Sequence, residues 1–380
     1  MLLGILAVPN AHSSVVSLVL DVLQTFLDYI PAEAVDKHAL TDAEAADRLA
    51  LVNRTIQDHV SQILSHMRTC FTSDVLSLAA TQQQQGQSGK PSGAVTQAMR
   101  QIHILSRVAE YATKQARDAK ALLDILLPIL KRPNRTVPER TKNDVLKVML
   151  RFVPLVLNDH DNALTADEQQ KLFAVYLEAV SSAFGRIRLD TARATLSQLL
   201  VLLAGISSHK QESVSCLQNA AAIIDGINSF STERLSEPDF ERRLEAYAQL
   251  NEEMWSRPDL LDAQAWVPVL YNLKYFAQDH EELSTRSNAA HGLSRYITRV
   301  SQACQTEPQA LQTQLLGRGL TSIVLPAIKH AFTSKHEPVR AEFLGVLRKT
   351  VRECGHYFVQ LEDLTRLDSA DEEANFFYNL

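Results

Sequence analysis

Residues 320–354 constrain the fold of this chain most, because their pattern describes one complete pair of helices. Buried-type residues recur there at three- and four-residue spacing along two segments, which is typical of amphipathic helices. They are Leu320, Ile323, Val324, Ile328 and Phe332 in the first segment, and Val339, Phe343, Val346, Leu347 and Thr350 in the second. Polar residues 334–337 interrupt the spacing, and Pro338 suits the first turn of a helix, where no backbone N–H is required. The stretch predicts an antiparallel helical hairpin, with Pro326 kinking its first helix.

This hairpin resembles a HEAT repeat, in which a Leu-Pro pair in the first helix is followed by a short polar turn and a Val-Arg pair that opens the second. The pattern occurs in residues 325–340, again in residues 267–290, and more loosely in residues 127–140. Helix pairs of this kind bury their apolar faces by stacking on their neighbours. The three copies predict an all-α fold, an α-solenoid of HEAT-like helical hairpins, in preference to a compact helical bundle.

Length and composition agree with such an array. The 380 residues would provide roughly eight or nine helix pairs of about 40–47 residues each. Glycine is scarce, at 12 residues, and the apolar residues follow helical spacing instead of the alternation that strands require. A division into two or three globular domains is the alternative that length alone leaves open.

The chain is predicted to have three parts. Residues 1–80 form N-terminal helical repeats, and residues 81–95 form a disordered loop rich in Gln, Gly and Ser, a composition that cannot bury apolar surface. Residues 96–380 continue the HEAT-like solenoid. Its last residues are apolar instead of forming a polar capping repeat, so we expect an array truncated at its C-terminal end.

Charge limits the kinds of partner. The net charge of -6 argues against a chain whose entire surface follows a nucleic acid, although local basic patches remain open. The most basic stretch lies between residues 131 and 142 and predicts a turn that contacts phosphate or acidic groups; an ordinary solvated turn is the alternative. A second candidate patch for RNA or protein contact lies on the last hairpin, where Arg340 has the alternative of contacting neighbouring turns. The candidate residues are Lys131, Arg132, Arg135, Arg140 and Lys142 in the first patch and Arg340, Lys349 and Arg352 in the second.

The sequence carries no motif of an enzyme. It lacks a nucleotide-binding glycine loop, a nucleophile elbow and a zinc-protease motif, and Gly317 and Gly319 are interpreted as a loop that permits close helix approach. The four cysteines are widely separated and are predicted to be reduced and buried. His59 and His66 lack a third ligand for a metal. We predict no catalytic residue, no metal, no cofactor and no small-molecule substrate.

Further exclusions come from two local features. The apolar residues 1–8 are too short to cross a bilayer and lack a preceding basic residue, so no membrane partner is predicted. Trp255 and Trp266 are interpreted as packing anchors instead of base-stacking platforms, because no basic cluster lies between them.

Three strings resemble one family, the DRIM-type (down-regulated in metastasis) proteins, also called U-three-snoRNA-associated protein twenty. They are residues 229–247, with Asp-Phe-Glu-Arg-Arg-Leu at their centre; residues 286–289, Arg-Ser-Asn-Ala; and residues 371–380, an acidic run followed by Phe-Phe-Tyr-Asn-Leu. The resemblance is clearest from about residue 206 onward. It implies a piece of a HEAT-repeat subunit of the small-subunit processome in the nucleolus. The implied role is a non-catalytic scaffold in pre-ribosomal RNA processing and 40S ribosome biogenesis, with processome proteins and pre-ribosomal RNA or snoRNA as partners.

The main alternative is a karyopherin-type HEAT-repeat transport receptor or another protein-interaction scaffold. Armadillo-type receptors carry Trp-x-x-x-Asn pairs, whereas here Asp259 follows Trp255 at that spacing and Leu270 follows Trp266. That version is disfavoured. No motif supports an enzyme or a regulatory arm of a kinase.

Overall fold

The computed structural model describes residues 116–135, 137–158, 164–208, 215–231, 237–256, 263–306, 312 and 314–365, with isolated helical positions before residue 65. Helices are numbered α1 to α10 within these ranges. The chain divides into two compact units, Met1–His209 and Lys210–Leu380.

The described part of the first unit contains two helical hairpins. Its helices are α1 (Ala116–Lys131), α2 (Glu139–Leu157), α3 (Ala166–Phe184) and α4 (Asp190–Ser208). Within each hairpin the two helices pack together, and between hairpins α1 packs on α3 and α2 on α4. Local chemistry sets the starts of two helices. Pro138 immediately precedes α2, and Thr165 caps α3 by a capping box with Glu168, in which the Glu168 amide donates to Thr165 Oγ1 at 3.3 Å.

The residues described in the second unit form three hairpins. Its helices are α5 (Ser215–Ile227), α6 (Phe240–Ala248), α7 (Ala263–Phe276), α8 (Leu283–Thr306), α9 (Leu325–Phe332) and α10 (Glu337–Thr365). A π-helical turn, Gln249–Glu253, extends α6, and a π-helical segment, Gln314–Val324, leads directly into α9. The first helices α5 and α7 and the π-helical segment pack in series, while the second helices α6, α8 and α10 form the other layer.

These two-layered stacks of hairpins confirm the predicted all-α solenoid. No strand occurs among the described residues, where a single antiparallel bridge joins Phe230 to Pro238. All three predicted repeats are hairpins, α1 with α2, α7 with α8 and α9 with α10. The predicted face of residues 320–354 is buried, except that Phe332 and Leu347 are half-buried.

The first helix of the last hairpin differs from the prediction at its beginning. Gly317 and Gly319 lie inside the π-helical segment and not in a loop. The wide turns of this segment leave main-chain carbonyls for side chains: Thr321 Oγ1 donates to Leu316 O at 2.9 Å and Ser322 Oγ to Gly317 O at 2.8 Å. Pro326 is then the second residue of α9, and the kink predicted there stays a prediction.

The close approach predicted for the two glycines holds for Gly319. A Cβ there would meet the Tyr296 hydroxyl at 1.7 Å and the Trp266 ring at 2.9 Å, whereas a Cβ at Gly317 would meet nothing within 4 Å. Trp255 and Trp266 are buried and both rings contact that of Tyr296, so they act as packing anchors.

Several expectations fall on residues outside those the structure describes. They concern the loop at 81–95, His59, His66 and Cys70, and the acidic and aromatic string at 371–380. The three predicted parts of the chain stay predictions.

Candidate functional site

The second helix of every described hairpin carries a basic residue at its fourth position. Its side chain turns back and donates to a main-chain carbonyl of the preceding turn or helix end. The five pairs are Lys142 with Arg132 O (2.6 Å), Arg193 with Ile187 O (2.9 Å), Arg243 with Ser229 O (3.1 Å), Arg286 with Asp279 O (3.1 Å) and Arg340 with Ser334 O (2.7 Å). We name these five residues the turn anchors. They tie each second helix to the turn that precedes it.

Two turn anchors, Lys142 and Arg340, were predicted to contact RNA or protein. In the structure each donates a hydrogen bond to its own turn. Lys142 is fully buried, and its ammonium also donates to Asn134 Oδ1 at 2.7 Å. The pKa of Lys142 is lowered, chiefly because the side chain is buried. The Glu139 carboxylate opposes this shift, and the Arg186 guanidinium adds to it. Arg340 is half-buried at its own turn. Lys142 is therefore not placed to present its charge to a large ligand, whereas Arg340 keeps partial exposure and stays a predicted contact.

The other four residues of the first patch remain at the surface. Lys131, Arg135 and Arg140 are exposed, and Arg132 is half-buried. Lys131 is the last residue of α1, Arg132 and Arg135 belong to the turn between α1 and α2, and Arg140 lies in the first turn of α2. The structure therefore brings together most of the patch that the sequence predicted.

This turn is joined to the turn between α3 and α4. Glu139 Oε2 accepts hydrogen bonds from the amides of Arg188 (2.8 Å) and Leu189 (2.5 Å). Asn134 donates through Nδ2 to Glu139 Oε1 and to Arg186 O, the latter at 3.0 Å. Arg186 in turn donates to Lys131 O at 2.9 Å. A network of side chains thus fixes the turns of neighbouring hairpins against each other.

The joined turns add Arg186 and Arg188 to the basic residues. Both are exposed, and neither was predicted as a site residue. The combined set is named the basic turn surface: Lys131, Arg132, Arg135, Arg140, Arg186 and Arg188. The signal that could have found the last two is the repeat itself, because equivalent turns of stacked hairpins lie side by side.

The electrostatics of the basic turn surface favour an anionic ligand. The carboxylate at its centre, Glu139, accepts three N–H groups and is committed to holding the turns together. The surrounding guanidinium and ammonium groups concentrate positive charge on a chain with a net charge of -6. Neither turn carries an aromatic residue, so the surface offers charge and hydrogen-bond donors but no stacking platform.

The second candidate patch separates into two places. Lys349 and Arg352 line an open groove between α8 and α10, together with His291 and Arg348, whereas Arg340 stays at its turn. Lys349 pairs with Glu353 one helical turn later, with Nζ 2.5 Å from Oε1. His291 and Arg348 were not singled out in the sequence.

The described residues offer no metal centre, since no three His, Cys, Asp or Glu side chains there lie close enough to share an ion. Within the same ranges, no helix combines the length and apolar character needed to cross a bilayer. Cys216, Cys304 and Cys354 are free thiols, and burial raises the pKa of Cys354 to about 12.

The fold and the basic turns define a helical-repeat protein with a local anion-attracting surface. Residues 1–336 match the family model described as U3 small nucleolar RNA-associated protein 20, N-terminal. The chain belongs to this family, in agreement with the resemblance in its sequence.

Two relatives are similar to most of the chain. U3 small nucleolar RNA-associated protein 20 of Schizosaccharomyces pombe is 30% identical over 280 residues, which cover 73% of this chain and 10% of that protein. The protein of the same name from Saccharomyces cerevisiae is 26% identical over 260 residues, 68% of this chain and 9% of that protein. The chain therefore spans about a tenth of the length of these relatives.

Proposed function

We propose that this chain is a non-catalytic scaffold segment that binds RNA through the basic turn surface, within small-subunit processome assembly in the nucleolus. Membership of the U3 snoRNA-associated family supports the setting. The observation that carries the RNA contact is the joining of two basic turns by Glu139 and Asn134. The proposed partners of the chain are pre-ribosomal RNA or snoRNA and processome proteins. The process to which it contributes in this proposal is the biogenesis of the 40S ribosomal subunit.

The proposed contact is with phosphates. Guanidinium groups match phosphate oxygens in charge and geometry, and such contacts position a nucleic acid without reading its sequence. The absence of aromatic residues from both turns leaves no base-stacking role for this surface. We therefore expect RNA binding that is salt-dependent and tolerant of sequence.

The test variant replaces Arg135, Arg140 and Arg188 by Gln in the 380-residue chain. Binding is measured by fluorescence anisotropy with a labelled U3 snoRNA transcript and an unrelated single-stranded RNA of equal length, over a series of salt concentrations. We expect weaker binding to both RNAs. The slope of log affinity against log salt is negative, and its magnitude should decrease by about 0.7 for each single-strand phosphate that the variant no longer neutralises.

The matched control replaces three exposed cations of the same unit, Arg117, Lys147 and Lys171, by Gln. It changes the net charge equally and leaves the basic turn surface intact, so its affinity and salt slope should stay close to those of the unmodified chain. If the test variant and the control have the same affinity and slope, the basic turn surface is a solvated turn and the RNA contact is refuted.

A separate measurement distinguishes the scaffold from a transport receptor. Proteins and RNA captured from nuclear extract by the tagged chain are compared with those captured by the test variant. Enrichment of processome proteins and pre-ribosomal RNA supports the proposal. Enrichment of Ran and transport cargo would favour the karyopherin-type alternative instead.

A further inference from the structure

A groove lies between α8 and α10, far along the sequence from the basic turn surface. Both helices are second helices of successive hairpins and run side by side. The groove has a volume of about 420 Å³ and is open to solvent. Residues of α8 line one side at positions 287, 290, 291 and 294, and residues of α10 line the other from 342 to 352. Ten residues of α-helix correspond to about 15 Å, enough for roughly five residues of extended polypeptide.

The base of the groove is made of small or flat residues. Ala290 and Val346 are buried, and Gly345 is exposed, with nothing within 4 Å of the position a Cβ would take. A ligand backbone can therefore come close to α10 at Gly345. The walls are polar: Ser287 and Ser294 provide hydroxyl groups along α8, and the Ser294 hydroxyl donates to Ala290 O at 3.1 Å.

Charge is distributed unevenly along the groove. Arg348 and Arg352 are exposed one turn apart on α10, and His291 lies across from them on α8. The charge of Lys349 is balanced by Glu353, and Glu342 marks the other end of the groove. The groove lining therefore places its cations toward one end of α10 and its one acidic residue, Glu342, at the other.

This mixture favours a polypeptide over an RNA strand. An RNA strand carries a phosphate at every nucleotide and cannot leave the part beside Glu342 uncharged, whereas an acidic peptide can place a neutral residue there. An acidic peptide can place carboxylates on the two arginines in bidentate pairs. Its backbone N–H groups can then meet the serine hydroxyls and Glu342.

We propose that the groove between α8 and α10 binds an extended acidic segment of a partner protein, with Arg348 and Arg352 pairing with its carboxylates and Gly345 admitting its backbone. This inference deepens the proposed scaffold function, on which it rests, by naming the class of protein segment that the scaffold holds. The site is distinct from the RNA contact, so each can fail alone.

The probe is a fluorescein-labelled ten-residue peptide of alternating acidic and small residues, compared with the same peptide carrying Gln and Asn in place of Glu and Asp. Binding to the 380-residue chain is measured by anisotropy. We expect the acidic peptide to bind and the peptide with Gln and Asn not to bind. Replacing Arg348 and Arg352 together by Gln should weaken this binding about tenfold or more, since charge-assisted pairs carry it.

A second variant tests the shape of the groove without changing charge. Gly345→Phe places a ring in the groove, and because its Cβ meets no atom within 4 Å, the helix should fold normally. The control Gly205→Phe makes the same change in α4, where a Cβ also meets nothing within 4 Å. We expect the first variant to abolish peptide binding and the second to retain it, with equal helical circular dichroism in both.

Three results would overturn the inference. One is an acidic peptide that does not bind. Another is binding that survives both groove variants or disappears equally when Arg135, Arg140 and Arg188 are changed. The third is an RNA affinity that falls with the groove variants while peptide affinity does not, which would assign the groove to RNA. The peptide measurements do not depend on whether the variant of Arg135, Arg140 and Arg188 loses RNA binding.

Discussion

At the scale of single residues, Gly317 and Gly319 show how position determines the cost of one methyl group. Both lie in the same π-helical segment, two residues apart. Gly319 faces the hydroxyl of Tyr296, which donates to Leu315 O at 2.7 Å, and the ring of Trp266. Gly317 faces open space. The aromatic packing of the second unit thus requires glycine at 319 and not at 317.

We therefore predict that Gly319→Ala lowers the free energy of unfolding by about 1–3 kcal/mol or more, the usual cost of overpacking. Gly317→Ala should cause no loss, because alanine suits a helix better than glycine. Urea unfolding followed by circular dichroism measures both. Adding Tyr296→Phe to Gly319→Ala should restore part of the loss, since it removes the atom nearest to the new Cβ. Equal stability of the two alanine variants would contradict the packing described for Tyr296.

At the scale of helices and hairpins, the turn anchors link each second helix to the turn before it. Arg193 is the most instructive, because it is 1% exposed and donates to both Phe184 O and Ile187 O, at 3.1 and 2.9 Å. Its guanidinium carbon also lies 5.5 Å from the centre of the Phe184 ring. One side chain therefore satisfies two carbonyls and packs on an aromatic ring.

For this reason Arg193→Met should destabilise the first unit. The change keeps much of the apolar stem but leaves two carbonyls without their donor, each costing about 1–3 kcal/mol when buried. The exposed Arg117→Met serves as control and should change stability by no more than about 0.5 kcal/mol. Thermal unfolding of the two variants decides the matter; similar midpoints would mean that water replaces the guanidinium at the turn.

The hairpins themselves could be predicted from sequence, because apolar spacing and proline position are local signals. Pro138 and Pro338 lie in or beside the first turn of a second helix as expected. The π-helical segment could not be predicted, since it depends on Thr321 and Ser322 bonding to carbonyls five residues earlier and on Tyr296 from another helix. Without those contacts, two glycines at this spacing are equally typical of a loop.

The candidate site was predictable only in part for a related reason. Four residues of the basic turn surface cluster in the sequence between 131 and 140, whereas Arg186 and Arg188 lie about fifty residues further on. They join the surface through Glu139, whose partners are backbone amides of the other turn. Lys142 looked like its neighbours in sequence, and only the fourth-position rule, visible across five hairpins, shows that it belongs beneath the surface.

At the scale of the whole molecule, buried residues of two strings that resemble the family, at 229–247 and 286–289, contribute to packing within the second unit. Arg243 lies over the rings of Phe230 and Phe276, at 5.3 and 5.4 Å, and Arg286 holds its turn through Asp279 O. Asn288 accepts a hydrogen bond from Asn251 on its carbonyl, at 3.3 Å. The contacts of Arg243 with Phe276 and of Asn251 with Asn288 connect neighbouring hairpins of the second unit, whereas the other two lie within one hairpin.

Because each hairpin of a solenoid is stabilised by its neighbours, we predict that damage stays local. Hydrogen exchange followed by mass spectrometry should show faster exchange in α7, α8 and the π-helical segment of Gly319→Ala, with unchanged protection of α1 to α4. The division of the chain at residues 209 and 210 supports this expectation. Faster exchange throughout the chain would show that both units unfold as one.

Among the five turn anchors, four are arginines and one is a lysine, and this difference has a chemical consequence. A primary amine reacts with acylating reagents once it is deprotonated and reachable, whereas a guanidinium does not. Burial lowers the pKa of Lys142 while the turn is closed, and the same burial keeps reagents away. Acylation of Lys142 would require the turn to open and would prevent it from closing again. The hairpin of α1 and α2 thus contains a position where enzymatic or chemical acetylation would convert a transient opening into a permanent one.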